Sequence, residues 1–452
     1  MGARKPLDEL DPAFPLLEQA AGKVGAQAWA VGGYVRDRLL GRDHPDLDIV
    51  VAGEKGTELA QAFAELAGAP PPVLFERFGT AQVNWQGRLI EFASTRAESY
   101  APDSRKPDVT PATLDEDLRR RDFTVNTLLM DFQGQVEDRL GTGLRDLEAR
   151  VLRTPREPEA TFADDPLRML RAARLAAQLG FELAPDLLPA MRKARERLRP
   201  PVLSVERTAD ELRKMLLSER PKLALQLLDE GGLLEIVLPE VWRCHGVQQG
   251  GWHRFDVYEH TLEALALAPP DLLTRLAALF HDVGKPVTAT PDGYFLGHDK
   301  VGAGLAREAL ARLRFSKEVG DRVARLVELH LRPAFYQREE WGDGAVRKLA
   351  RDAGDDVWRL LDLARADIRA SAFPDPAKID ELENRLREVL AEKPSRFSLP
   401  ISGEDIMHEL KLPPGKDVGR VKSRLQELVL DGQLPPEREA LLEYLRAHPN
   451  ER

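Results

Sequence analysis

Asp46 and Asp48 stand one residue apart in "DLDIVV", the end of the stretch "VGGYVRDRLLGRDHPDLDIVV" from Val31 to Val51. A β-strand alternates its side chains between faces, so both carboxylates project from one side and Leu47 from the other. Two acids so close on a strand of Ile49, Val50 and Val51 repel each other without a cation, and hard oxygen ligands of this kind suit Mg²⁺. Upstream, Gly32 and Gly33 end an apolar strand and precede a helix expected to begin near Val35. Backbone N–H groups at such a turn approach phosphate with no Cβ in the way, and Arg36 adds a fixed positive charge. The combination points to metal-assisted chemistry on a phosphate-bearing substrate.

A second set of residues lies further along. "DVYEHTLEAL", "LAALFHDVGKP", "GYFLGHDKVGA" and "LVELHLRP" hold His260, the adjacent His281 and Asp282, His298 and His330. Imidazoles combined with a carboxylate are a recurrent ligand set for a divalent transition metal. Hydrogen-bonded core histidines are the competing reading of the same letters.

The elements that must position these groups follow from the chain's bulk properties. At 452 residues the sequence is too long for one core and predicts about three units at roughly 150 residues each. The first third is mixed: "AWAVGG", "LDIVVAG", "PVLFERFGTAQVNW" and "RLIEFAST" predict short strands, and "GTELAQAFAELAG" a helix. From about Thr161 the apolar residues recur at helical spacing, as in "DPLRMLRAARLAAQLGF", "RTADELRKMLL" and "LLTRLAALFHDVG", so the remainder is predicted to be almost wholly α. The net charge of −10 excludes a coat of positive potential, so a polyanion must be met by local patches. One such patch runs from Asp186 to Lys222, with ten Lys/Arg against six Asp/Glu, and includes Arg192, Lys193, Arg195 and Arg199. No apolar run spans a bilayer, and the N-terminus lacks the pattern of a secretory signal, which predicts a cytoplasmic protein with no membrane partner. A single cysteine, Cys244, excludes an intramolecular disulfide and is expected to be a small buried side chain.

"GGYVRD…DLDIVV" resembles the signature of the class II tRNA nucleotidyltransferases, the family of CCA-adding enzymes and bacterial poly(A) polymerases within the DNA polymerase beta superfamily. Further motifs follow in order: "EDLRRRDFTVNTLLMD"; the hinge residues Gly143, Asp146 and Leu147 in "DRLGTGLRDLEARVLRTP"; "FADDPLRMLRAARLAAQLGF"; and "SVERTADELRKML". Where the family opens its nucleotide-selecting helix with Glu-Asp, this chain has Asp164-Asp165. The His-Asp pair followed by Val-Gly-Lys resembles the HD superfamily of metal-dependent phosphohydrolases.

The resemblance implies an α+β chain: a mixed-sheet nucleotidyltransferase head over residues 1–153, a helical neck for nucleotide selection and RNA binding over 154–240, a helical HD body over 241–375, and a helical tail over 376–452. It implies template-independent addition of C or A from CTP or ATP to the 3′ end of tRNA, with release of pyrophosphate. Asp46 and Asp48 would be catalytic and would hold Mg²⁺. Gly32, Gly33, Arg36, Arg121 and Asn126 would bind the nucleotide, Asn126 near the ribose. Asp165 and Arg168, three apart on a predicted helix, would read the base, with Arg171 and Arg174 on the nucleotide or its triphosphate. Cytosine and adenine both offer an amino donor beside a ring acceptor, which a carboxylate and a guanidinium complement. The basic neck would hold the acceptor stem of tRNA by shape and phosphate. His260, His281, Asp282, His298 and His330 would hold a transition-metal ion for phosphoester hydrolysis. A poly(A) polymerase, a CC-adding enzyme paired with an A-adding companion, and a chain that is primarily an HD phosphohydrolase are the alternatives. The loop expected to separate CC-adding from A-adding enzymes falls within Arg96 to Asp117.

Overall fold

The computed structural model describes residues 10–75, 79–99, 108–249, 255–372, 375–391, 399–430 and 433–449. The chain divides into two compact units, Met1–Pro239 and Glu240–Arg452.

The first unit opens with α1 (Phe14–Val24), β1 (Ala28–Val31), α2 (Gly33–Leu39), β2 (Leu47–Val51) and α3 (Gly56–Ala67). It continues through β3 (Val73–Phe75), β4 (Thr80–Trp85), β5 (Arg88–Ser94), β6 (Arg96–Ser99), β7 (Asp108–Pro111), α4 (Leu114–Arg119), β8 (Leu129–Met130), β9 (Val136–Glu137) and α5 (Gly143–Ala149). Seven strands form one sheet in the order β3-β4-β5-β2-β1-β8-β9. Only β2 and β5 run parallel within it; the other neighbours are antiparallel. The sheet's two faces are divided by the period-2 pattern of β2. Ile49 pairs with Phe92, which meets Phe63 of α3 on the apolar face. Asp48 and Val50 project from the other, where Val31, Val50 and Leu129 pack under Leu114 and Leu118 of α4. The expected strand "PVLFERFGTAQVNW" is two strands, β3 and β4, and α2 begins at Gly33 rather than near Val35. Gly32 has φ +76°, and its carbonyl accepts the first helical hydrogen bond from Arg36 N at 3.2 Å. Residues 100–107 of the loop between β6 and β7 lie outside the described residues, so that part of the Arg96–Asp117 expectation does as well.

The hinge residues of the sequence close tightly on the end of the sheet. A Cβ at Gly143 would lie 2.8 Å from Thr124 O and 2.7 Å from Leu128 Cδ2, so only glycine allows this approach. Asp146, buried, accepts from Thr124 Oγ1 at 2.7 Å. Beyond it come α6 (Pro158–Asp164), α7 (Leu167–Leu179), α8 (Leu187–Ala194), α9 (Val205–Leu216) and α10 (Pro221–Glu230). Asp165 and Arg168, expected on one helix, are separated by a break. Asp165 is extended at φ −139° because Pro166 follows it, and α7 starts only at Leu167.

The second unit is helical. Helices Val257–Leu267, Leu272–Phe280, His298–Arg312, Lys317–Leu329 and Val357–Ala370 form its body, with Cys244 buried as expected. Helices Gly403–Leu410, Lys416–Leu430 and Arg438–Ala447 close on a separate small core around Ile406, Leu425, Leu441 and Leu445. No helix among the described residues is long and apolar enough to cross a membrane.

Asp271 caps helix Leu272–Phe280, accepting from Thr274 N at 3.0 Å and from Arg359 Nε at 2.8 Å. Partial burial opposes its charge, but Arg359 and Thr274 hold its carboxyl at about 2. A depressed carboxyl contributes stability above its unfolded value near 4, and that contribution is lost as pH falls through the folded value. We therefore expect Asp271→Ala to cost about 1 kcal/mol in urea unfolding at pH 7, the loss of a helix cap, with the exposed ion pair adding little. The gap to the parent should narrow as pH is lowered from about 4 toward 2; a gap of constant size would assign the cap to something other than this carboxylate.

Candidate active site and metal centre

The apolar sheet forces Asp48 into its position. β2 and β5 pair in parallel register with Asp48 opposite Glu91, so both carboxylates emerge on one face of adjacent strands. Burial and the Glu91 charge push the Asp48 carboxyl above its ordinary range, outweighing Arg121 and His44, which pull it down. Asp46 is exposed just before β2, and its carbonyl accepts from His44 Nδ1 at 2.8 Å. Gln82 of β4 donates to Glu91 at 3.0 Å and steadies it. A Cβ at Gly32 would lie 3.4 Å from Asp48 Oδ2 and 3.5 Å from Arg121 Nη1, so the absent side chain leaves open a cradle with a carboxylate on one wall and a guanidinium on the other. Asp48 and Glu91, in register on adjacent strands with Asp46 just before β2, offer carboxylate oxygens of the kind that a divalent cation such as Mg²⁺ takes.

Glu91 has no counterpart in the sequence reading. Its only signal is a lone acid in "RLIEFAS", because the sequence does not say which strand lies beside β2.

Around this face the arginines are fixed by acids. Arg36 is buried, with Nε and Nη2 on the two oxygens of Asp37, each at 2.8 Å, and Nη1 on Asn126 Oδ1 at 2.7 Å. Arg121 Nη2 reaches Asp117 Oδ2 at 3.2 Å, while its Nε is buried with no hydrogen-bond partner. Asn126, 5% exposed, donates from Nδ2 to Asp122 Oδ1 at 2.9 Å, so both ends of its amide are engaged. On α7, Arg168, Arg171 and Arg174 recur every three residues. Arg168 donates to the carbonyl of Arg120 at 2.6 Å, Arg171 to Asp122 at 2.8 Å, and Arg174 to Glu211 at 2.5 Å. Asp165 Oδ1 accepts from Leu167 N at 3.1 Å. Although burial opposes its charge, Asp122 is held well below the usual carboxylate range by Arg171 and Asn126. Asp117 and Asp122, which clamp these arginines, were not singled out in the sequence although both lie within "EDLRRRDFTVN". The basic stretch sits on α8 and the turn after it. There Arg192 donates to Glu230 O at 2.7 Å, Lys193 to Glu159 at 2.6 Å and Arg199 to Glu196 at 2.7 Å, while Arg195 lies 3.6 Å from Glu196.

The second unit gathers all five expected residues of the histidine set. His260, His281 and Asp282 offer ligand atoms within 4.8 Å of one another, and so do Asp282, His298 and His330. Nδ1 of His281, His298 and His330 each meets a backbone carbonyl at 2.6–2.7 Å, of Ala278, Phe295 and Val327. A carbonyl only accepts, so Nδ1 carries the proton and Nε2 is turned to the cluster, as a metal ligand requires. His298 Nε2 is buried without a hydrogen-bond partner, 3.5 Å from Asp282 Oδ1. Asp367, absent from the sequence reading, joins the set with Oδ1 2.9 Å from His260 Nε2 and 3.7 Å from His281 Nε2. Its signal, an acid on an apolar helix face, is common to many helices that bind nothing. Burial favours a neutral His281 ring, but Asp282 and Asp367 raise it to about 9; burial and His281 lower His330 to about 4. The acids thus hold a proton on His281, the charge balance that a divalent ion would supply instead. The mixed imidazole and carboxylate donors fit a transition-metal ion.

Residues 28–153 match the family described as the poly A polymerase head domain, 180–244 a probable RNA and SrmB-binding site of polymerase A, and 257–370 the HD domain. A CC-adding tRNA nucleotidyltransferase of Thermus thermophilus is 37% identical over 91% of this chain and 92% of its own length. An A-adding tRNA nucleotidyltransferase of Deinococcus radiodurans is 34% identical over 91% and 93%. The crystal structure of the Bacillus stearothermophilus CCA-adding enzyme in complex with CTP superposes with a TM-score of 0.65 at 25% identity, covering 97% of this chain and 98% of that one. A poly(A) polymerase-type head carrying paired acids beside a Gly-Gly turn, followed by an HD domain, makes this chain a member of the tRNA nucleotidyltransferase family.

Proposed function

We propose that the head adds C or A nucleotides, without a nucleic-acid template, to the 3′ end of tRNA, taking CTP or ATP and releasing pyrophosphate. The observation that carries this reading is Asp48, in register with Glu91, facing Arg121 across the open side of Gly32. Asp46 and Asp48, with Glu91 beside them, are the residues to hold Mg²⁺. When bound there, the ion supplies acidification of the attacking 3′-hydroxyl and neutralises charge on the leaving phosphates. The chain's own contribution is positioning. Backbone N–H groups at Gly32–Gly33 and the guanidinium of Arg121 orient the triphosphate. Arg168, 7% exposed and tied to the carbonyl of Arg120, presents a preset guanidinium beside Asp165 for the base edge. Uracil and guanine offer the opposite donor and acceptor pattern and would leave buried groups unpaired, a cost of about 1–3 kcal/mol for each one. The acceptor stem lies along the neck, residues 154–240, where Arg192, Lys193, Arg195 and Arg199 meet its phosphates.

The relatives that span most of the chain include one CC-adding and one A-adding enzyme, so the work is divided here with a companion enzyme or completed alone. Extension of tRNA lacking CCA and of tRNA ending in CC, read at single-nucleotide resolution with CTP and ATP, separates these cases. A transcript extended only by long A tails would replace this reading with a poly(A) polymerase. In the second unit we propose that His260, His281, Asp282, His298, His330 and Asp367 hold a transition-metal ion that serves phosphoester hydrolysis in this cytoplasmic enzyme.

Asp48→Ala is expected to reduce incorporation by at least about 10³-fold, since a ligand of the catalytic ion is lost; incorporation within tenfold of the parent would remove the carboxylates from the chemistry. Asp165→Ala should admit UTP while binding tRNA with unchanged affinity, and a variant that still rejects UTP as strictly as the parent places base choice elsewhere. Asp282→Ala should strip the second unit's metal, seen by elemental analysis of purified protein, and leave nucleotide incorporation at the parent's rate. Parental metal content in that variant would overturn the ligand assignment.

A further inference from the structure

The groups that face the phosphates and those that face the base stand on different elements, α2 and α7, yet four side chains connect them without a gap. Arg36 Nη1 donates to Asn126 Oδ1 at 2.7 Å, Asn126 Nδ2 to Asp122 Oδ1 at 2.9 Å, and Arg171 Nε to Asp122 Oδ2 at 2.8 Å. Three of the four are nearly closed to solvent: Arg36 is 6% exposed, Asn126 5% and Asp122 8%. The same short segment also anchors Arg168, one turn before Arg171, through the carbonyl of Arg120. Each side-chain link is a hydrogen bond in which at least one partner is charged, and such bonds are the stronger kind in a buried setting. Asn126 is a neutral group that accepts from a cation and donates to an anion at once. Only a side-chain amide offers both, with its acceptor and donor fixed in one plane.

Resting on the nucleotidyltransferase reading, we propose that Asn126 is a specificity-determining positioning residue: its amide ties Arg36 at the phosphate turn to Asp122, and through Asp122 to Arg171, so that triphosphate alignment and base choice are set by one rigid frame. With both ends of its amide engaged, Asn126 acts through its neighbours. Arg171 uses Nε toward Asp122 and keeps its Nη1 edge turned away from that carboxylate. If the amide is lost, Asp122 and Arg36 each lose one partner, and the guanidinium of Arg171 gains freedom relative to α2.

The test uses the full-length protein and single-turnover incorporation into two tRNA transcripts, one lacking CCA and one ending in CC. Incorporation efficiency is measured separately for UTP and for whichever of CTP and ATP the parent prefers. Asn126→Ala removes both links. Asn126→Ser keeps a hydroxyl too short to bridge both partners and serves if the alanine variant does not fold. The preference for the correct nucleotide over UTP should fall by about 10-fold or more, as two buried hydrogen bonds to charged groups are lost. The variant is expected to melt below the parent, since two buried charged groups each lose a partner, so the preference is measured at a temperature where both are folded. A uniform loss with every nucleotide, at unchanged preference, would make Asn126 a merely structural residue and overturn the proposal. A parent that extends no transcript would overturn the nucleotidyltransferase reading itself, and the two failures are distinct in the same assay.

Discussion

Asp48 and Glu91 face the same way from adjacent parallel strands, and the rest of the head is arranged around that electrostatic problem. Two carboxylates side by side on a sheet whose other face is packed with Ile49, Phe92 and Phe63 cannot both be stripped of water and remain charged without compensation. The compensation has three sources. Arg121 lies across the open side of Gly32, Gln82 donates to Glu91, and the third acid, Asp46, stays exposed. What remains uncompensated shows in Asp48, whose carboxyl burial and the Glu91 charge push above its ordinary range. The glycine is part of the same design, because any side chain at position 32 would both strain a backbone at φ +76° and close the space between carboxylate and guanidinium.

The arginines show how an acidic protein prepares to meet an anion. Arg36, Arg121, Arg168, Arg171 and Arg174 are each gripped by an acid or a carbonyl, so their donors are aimed before substrate arrives. Preset charges of this kind lose little conformational entropy on binding, and they resist the nonspecific attraction that mobile surface lysines would bring. A net charge of −10 is therefore compatible with a nucleic-acid enzyme whose site arginines are held in place.

The two metal environments differ in kind. The head offers carboxylate oxygens, which would suit a hard ion such as Mg²⁺. Imidazole Nε2 atoms dominate the other, those of His281, His298 and His330 oriented by an Nδ1 bond to a backbone carbonyl. His281 and His330 carry opposite shifts 5.4 Å apart, because a shared buried volume tolerates one positive ring near Asp282 but not two.

Short-range pattern alone was enough to read much of this molecule. Alternation placed Asp48 opposite in face to Leu47, helical spacing marked the arginine stripe of α7, and the Gly-Gly turn marked the phosphate approach. All five residues of the histidine set could be named because each sits in a local motif. What tertiary structure decided were the partners that are distant in sequence. Glu91 became the neighbour of Asp48 only through a parallel pairing between strands that are not consecutive, and Asp367 reached His260 across 107 residues. The break at Pro166 was legible in principle, yet the periodicity of the surrounding apolar residues concealed it. A sequence specifies which side chains can do chemistry and on which face of an element they lie. Which faces meet depends on burying all the apolar surface at once, and that is a property of the whole fold.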